Sequence, residues 1–154
     1  MRAKLFLTTI ILLLVVITKA QTQTSVYNEK LANELGADKY GMKKYMFIIL
    51  KTGKTNITDK TKMTELMRGH LSNIGKLAEE GKLTVAGPFL EKNDKNYRGL
   101  FIINSDSKEA TEKLLQSDPA IAAGVFDVEI YPWYGSAALP TYLENHKKVS
   151  KENP

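Results

Sequence analysis

The spacing of apolar residues changes character several times along the chain, and each change predicts an element. Lys43-Lys44-Tyr45-Met46-Phe47-Ile48-Ile49-Leu50 is bounded by Gly41 and Gly53. The run is too short for a helix and rich in strand formers, so it predicts a first strand buried on both faces. From about Asp59 to Glu80, the residues Met63, Leu66, Met67, Ile74, Leu77 and Ala78 follow the helical period, and Gly81 supplies a C-terminal stop. Leu83 to Ala86 predicts a second strand that Gly87-Pro88 ends, because proline has no N–H to give a ladder and glycine permits an unusual turn. After a polar loop, Phe89 to Asn96, the segment Tyr97 to Asn104 predicts a third strand antiparallel to the second. Asp106 with Glu109 has the spacing of a capping box, which predicts a helix from about Ser107 to Gln116. Asp118-Pro119 restarts helix for one turn with proline at its first position, and Gly124 closes it. Val125 to Tyr131 is the fourth strand. The order β-α-β-β-α-β is an α+β, ferredoxin-like arrangement.

The flanks are less regular. Tyr27, Leu31 and Leu35 recur at helical spacing and stop at Gly36, which predicts a short lead-in helix. Beyond Trp133, Gly135-Ser136 breaks the last strand, and Leu139 to Lys147 predicts a final short helix begun by Pro140. Its apolar residues Leu139, Tyr142 and Leu143 need cover, from the same subunit or across a dimer. At the other end, Arg2 and Lys4 precede an apolar core from Leu5 to Ile17, and Thr18-Lys19-Ala20 offers a cleavage site before Gln21. That pattern reads as a secretory signal, with an apolar core too short for a comfortable membrane span and an uncleaved anchor as the alternative. The expected division is a signal peptide over 1–20, an extension with a short helix over 21–42, a single domain over 43–134 and a tail over 135–154.

Export changes the reading of charge. The formal net charge of +5 falls to +2 once Arg2, Lys4 and Lys19 leave, since no acid leaves with them. Lys43, Lys44, Lys92, Lys95, Lys147 and Lys148 are scattered among acids rather than arranged in a stripe, so no nucleic-acid partner is expected. With no cysteine, an exported chain of this size relies on its core or a partner subunit rather than on disulfides. After signal cleavage no membrane association is expected.

Candidate chemistry is sparse. His70 lies three residues from Met67 and four from Ile74, on the apolar stripe of the long helix, so its ring should point toward the sheet. Asp118, directly before Pro119, is a natural N-cap, and a carboxylate has enough lone pairs to cap a turn and orient an imidazole as well. The two form the one acid/base pair that the pattern offers. A histidine in such a place also serves as a core residue bonded to backbone. Asp94 sits in the polar loop and reads as a solvated residue. Arg98 would hold an anion if it faced the same cleft, with solvent as the equal alternative, and strand alternation groups it with Leu100 rather than with Tyr97 and Gly99. Trp133 and Tyr134 would wall a pocket or anchor an interface. Two histidines without cysteine give no recognisable metal site, and no glycine-rich phosphate loop or nucleophile elbow is present.

Met46-Phe47-Ile48-Ile49-Leu50, Gly69-His70-Leu71, Gly81-Lys82-Leu83, Ala86-Gly87-Pro88, Asp118-Pro119 with Ala123-Gly124-Val125, and Pro132-Trp133 together resemble the YciI-like (YCII-related) family over roughly Lys44 to Tyr134. The resemblance implies a ferredoxin-like subunit that pairs into a dimeric α/β barrel. It implies a cleft between sheet and helices lined by His70 and Asp118; Gly87, Pro88, Asp94, Arg98 and Trp133 are candidate ligand-binding positions from the residue pattern itself. It further implies a homodimer acting on a small organic molecule without a cofactor, by acid–base chemistry of the lyase, isomerase or dehalogenase kind. The alternative is a non-catalytic ligand-binding or dimeric interaction module. Two features depart from the family pattern: the export signal with the segment Tyr27 to Met42, and Lys95 where relatives often carry Gly after the loop aspartate.

Overall fold

The computed structural model describes residues 26–151. The expected signal peptide and the first residues after it lie outside the described residues. Helix α1 (Glu29–Leu35) is capped by Asn28, whose side chain accepts from Leu31 N–H, and it ends at Gly36. Then come β1 (Met42–Thr52), the long helix α2 (Lys60–Glu79), β2 (Leu83–Pro88) and β3 (Tyr97–Ile103). Helix α3 (Lys108–Leu115), the one-turn helix α4 (Pro119–Ala122) and β4 (Phe126–Ser136) complete the β-α-β-β-α-β pattern. A 3-10 turn (Leu139–Tyr142) leads into α5 (Leu143–Val149).

The strands form one sheet in the order β2-β3-β1-β4, every neighbour antiparallel. This is the ferredoxin-like topology, and it places the apolar run Lys43–Leu50 at the centre. Met46, Ile48 and Leu50 point to the helix side, where they pack with Phe101, Ile103, Leu83, Leu77, Leu115 and Ile121. Fully burying one such side chain contributes about 1.5–3 kcal/mol. On the opposite face Tyr45 is fully buried and Ile49 nearly so, which bears out the expectation of burial on both faces. Tyr45 packs against Trp133 with ring centroids 5.8 Å apart, and its hydroxyl donates to the Ser136 carbonyl at 2.9 Å.

Several boundaries differ from the sequence reading, each for a local reason. β2 runs on through Gly87 and Pro88, because as an edge strand it has no ladder to complete on its outer side. β4 likewise continues past Pro132 and Gly135 to Ser136, since it is the other edge and pairs with β1 along the whole length of that strand, from Thr52↔Phe126 to Met42↔Ser136. The cap of α3 is Ser107 rather than Asp106: Ser107 has extended backbone and its Oγ accepts from Ala110 N–H at 3.2 Å. In β3 the register shifts opposite Leu50/Lys51, pairing Leu50 with Gly99 and Lys51 with Tyr97 and leaving Arg98 out of the ladder. The bulge breaks the alternation that grouped Arg98 with Leu100 and sends Tyr97 toward Glu129, with 3.4 Å between hydroxyl and carboxylate.

The tail reaches back across the same subunit, with Leu139 and Leu143 half-buried and Tyr142 exposed. The chain leaves β4 at one edge of the sheet, and the 3-10 turn reaches β2 at the other, where the Tyr142 hydroxyl donates to the Thr84 carbonyl at 2.7 Å. At the chain's other end, the Tyr134 hydroxyl hydrogen-bonds Asp38, tying the segment after α1 to β4. This bond is the main cause holding the Asp38 carboxyl below its ordinary range, and it pushes the Tyr134 hydroxyl up.

Candidate active site

Helix α2 presents His70 to the sheet as its spacing requires. The ring stacks on Phe101 of β3, with centroids 6.0 Å apart, and leans on Phe126 at the start of β4, at 5.1 Å. Only 7% of the residue is exposed. Asp118, 1% exposed, sits where α3 gives way to α4. Its Oδ1 accepts from the backbone N–H of Ala120 at 2.9 Å and of Ile121 at 3.3 Å, the capping role expected of Asp before Pro. Its Oδ2 lies 2.6 Å from His70 Nδ1. The two roles coexist because each carboxylate oxygen serves one of them.

This geometry fixes the imidazole. An ionised carboxylate only accepts, so against it Nδ1 is the donor, and in that tautomer the ring lone pair sits on Nε2. Among the described residues Nε2 has no hydrogen-bond partner, and 9% of the His70 side chain remains exposed. The pair is thus an oriented base whose free nitrogen points away from its carboxylate. When that nitrogen takes up a proton, Asp118 is in place to balance the charge.

The remaining candidates are dispersed. Gly87 pairs with Leu100, one position along from Phe101, so Gly87-Pro88 flanks the strand that floors the His70 ring. Asp94 is exposed and has no polar partner among the described residues; Asn93 closes that loop instead, bonding both N–H and C=O of Tyr97 at 2.9 Å. Arg98 is exposed at the bulge. Trp133 lies on the sheet face away from the helices, against Tyr45, so the structure does not bring it to His70. Two residues that the sequence reading passed over are Phe101 and Phe126, the rings that hold the imidazole. Strand alternation alone identifies them as inward-facing, but only the register of β3 and β4 against β1 shows that both meet α2 at His70. A cavity of about 250 Å³, lined in part by Gly53, Gln116, Ile121 and Phe126, lies beside this cluster.

No group of three or more His, Cys, Asp or Glu able to hold a metal is found among the described residues, and none of their helices is long and apolar enough to cross a membrane. A second polar cluster lies on the opposite sheet face. Glu129 of β4 accepts from Lys51 Nζ at 2.8 Å and from the Tyr131 hydroxyl at 2.9 Å. The hydrogen bond from Lys51 is the main cause holding the Glu129 carboxyl below its usual range, and Glu129 in turn raises both Lys51 and Tyr131.

A βαββαβ sheet with a histidine of the first helix held by the aspartate that caps the turn before the last strand defines a class, and comparison with known proteins identifies it. Residues 44–134 match the YCII-related domain, and the chain belongs to that family. A curated relative, the uncharacterized protein YjpA of Bacillus subtilis (strain 168), is 27% identical over 89 residues, covering 58% of this chain and 92% of YjpA. Among solved structures, the chain is similar to 5-chloro-2-hydroxyhydroquinone dehydrochlorinase (TftG) from Burkholderia phenoliruptrix AC1100, in complex with 2,5-dihydroxybenzoquinone. That similarity is 22% in identity, covers 57% of this chain and 92% of that one, and has a TM-score of 0.41.

Proposed function

We propose that the protein is an exported, homodimeric acid–base enzyme in which His70, oriented by Asp118, moves a proton on a small organic molecule. The observation that carries this reading is the 2.6 Å bond from Nδ1 to a buried carboxylate, which leaves Nε2 free. In the proposed step, Nε2 takes a proton from the substrate, and the imidazolium returns it to the same molecule or to a leaving group. Atoms balance without any redox partner. The family resemblance supports elimination or isomerisation as the reaction class, and Gly87-Pro88, beside the Phe101 strand, would shape the site. General acid–base assistance of this kind is worth roughly 10²–10⁴ in rate.

The homodimer is supported by the sheet face away from the helices, where Tyr131 is 50% and Trp133 38% exposed beside the half-buried Phe47 and Leu100. Export rests on the signal pattern ahead of Gln21, and an N-terminal mass beginning at Gln21 is the expected result for the exported protein. The catalytic reading is tested with His70→Gln in a screen of small ring compounds. Glutamine still donates to Asp118 Oδ2, so the variant should fold while losing at least 10²-fold in turnover, in line with the general acid–base magnitude. Full activity in that variant, on a compound the native protein converts, rejects the proposal. A native protein that binds a compound without converting it points to the ligand-binding alternative.

A further inference from the structure

Helix α2 contains two interior glycines, Gly69 and Gly75, although glycine weakens a helix relative to alanine. Their surroundings differ. A Cβ placed on Gly75 would meet nothing within 4 Å. On Gly69 it would lie 2.5 Å from Pro119 Cγ, 3.6 Å from Pro119 Cβ and 3.7 Å from Pro119 Cδ. Non-bonded carbons settle at about 3.5–4.0 Å, so a methyl at position 69 would push the first turn of α4 away by on the order of 1 Å.

The position of this contact gives it a consequence. Gly69 adjoins His70 in sequence and Pro119 adjoins Asp118, so the close approach and the 2.6 Å bond are neighbours on both elements. The Ser117 hydroxyl continues the same seam, 3.1 Å from the side-chain oxygen of Asn73. Displacing α4 by on the order of 1 Å would stretch the Nδ1–Oδ2 separation beyond hydrogen-bonding range. We propose that Gly69 is a positioning residue: its missing side chain lets Pro119 dock against α2 and so sets the distance at which Asp118 holds His70. The inference deepens the reading of His70–Asp118 as an acid–base pair and rests on it, but its test reads the hydrogen bond itself.

The experiment uses the intact protein, isotope-labelled at histidine, with the Nδ1–H signal of His70 as readout. Gly69→Ala should lose that signal, and Gly75→Ala should keep it. Gly69→Ala combined with Pro119→Ala should regain it, because the clashing Cγ is gone and the remaining Cβ–Cβ distance is an ordinary contact. Persistence of the signal in Gly69→Ala overturns the proposal, as does failure of the double variant to recover it. If Gly69→Ala does not fold, the double variant decides: recovery of both fold and signal supports the proposal, and failure of either overturns it. Absence of turnover in a native protein whose Nδ1–H signal behaves as expected would count against the enzyme reading alone.

Discussion

Asp118 performs two tasks with separate oxygens, and substitutions separate them. Asp118→Ala removes the cap and strands the His70 N–H, so it should destabilise by about 2–5 kcal/mol, combining a lost cap with an unpaired buried donor. Asp118→Asn keeps a capping oxygen for Ala120 and Ile121 but offers an N–H where His70 needs an acceptor. Its stability loss, measured by urea unfolding, should be well below that of the alanine variant, while turnover falls about 10²–10⁴-fold. Equal losses of stability in the two variants would mean that the cap contributes little. The joint role was legible in the sequence, because Asp-Pro marks a cap and the stripe through Met67 and Ile74 aims His70 inward. The rings around His70 were not, since contact between α2, β3 and β4 depends on register rather than on spacing within one element.

At the scale of elements, the contrast between the two glycines of α2 yields a stability prediction. Gly75 is exposed and nothing opposes a side chain there, so Gly75→Ala should stabilise the protein by about 0.5–1 kcal/mol. A destabilised variant would show that position 75 has a packing constraint. β1 and β4 are joined on their outer face by Lys51 and Glu129. Because the folded state holds Glu129 below its ordinary range, the contribution of this bond is fully present above the unfolded carboxylate value. It is lost as pH falls through the lower folded value. Urea midpoints of the native protein should therefore drop on acidification more than those of Glu129→Gln, and parallel curves would contradict the assignment. The extents of β2 and β4 were misread for one reason. Gly87-Pro88 and Gly135-Ser136 look like strand breakers in sequence, but an edge position removes the need for a complete ladder, and edge status is a property of the assembled sheet. The grouping of Arg98 with Leu100 failed because a bulge leaves no sequence signature to count, while the solvent-facing alternative for Arg98 held.

For the whole molecule, the family and the ferredoxin-like order were readable because the apolar run of β1, the helical stripe and Asp118-Pro119 agree with one topology. The proposed homodimer rests on the exposed sheet face of Tyr131 and Trp133. Light scattering should give twice the mass of a single chain, and Tyr131→Glu together with Trp133→Glu, on that face, should shift it to the monomer. A monomeric native protein would remove the dimer from the account. The central claim, that Asp118 holds His70 as a base with a free Nε2, is tested most directly by nitrogen NMR of His70 with and without small ring compounds. The account predicts a neutral ring protonated at Nδ1 and an Nε2 signal that moves when a ligand binds. A ring protonated at Nε2, or an Nε2 signal silent to every compound, would contradict it.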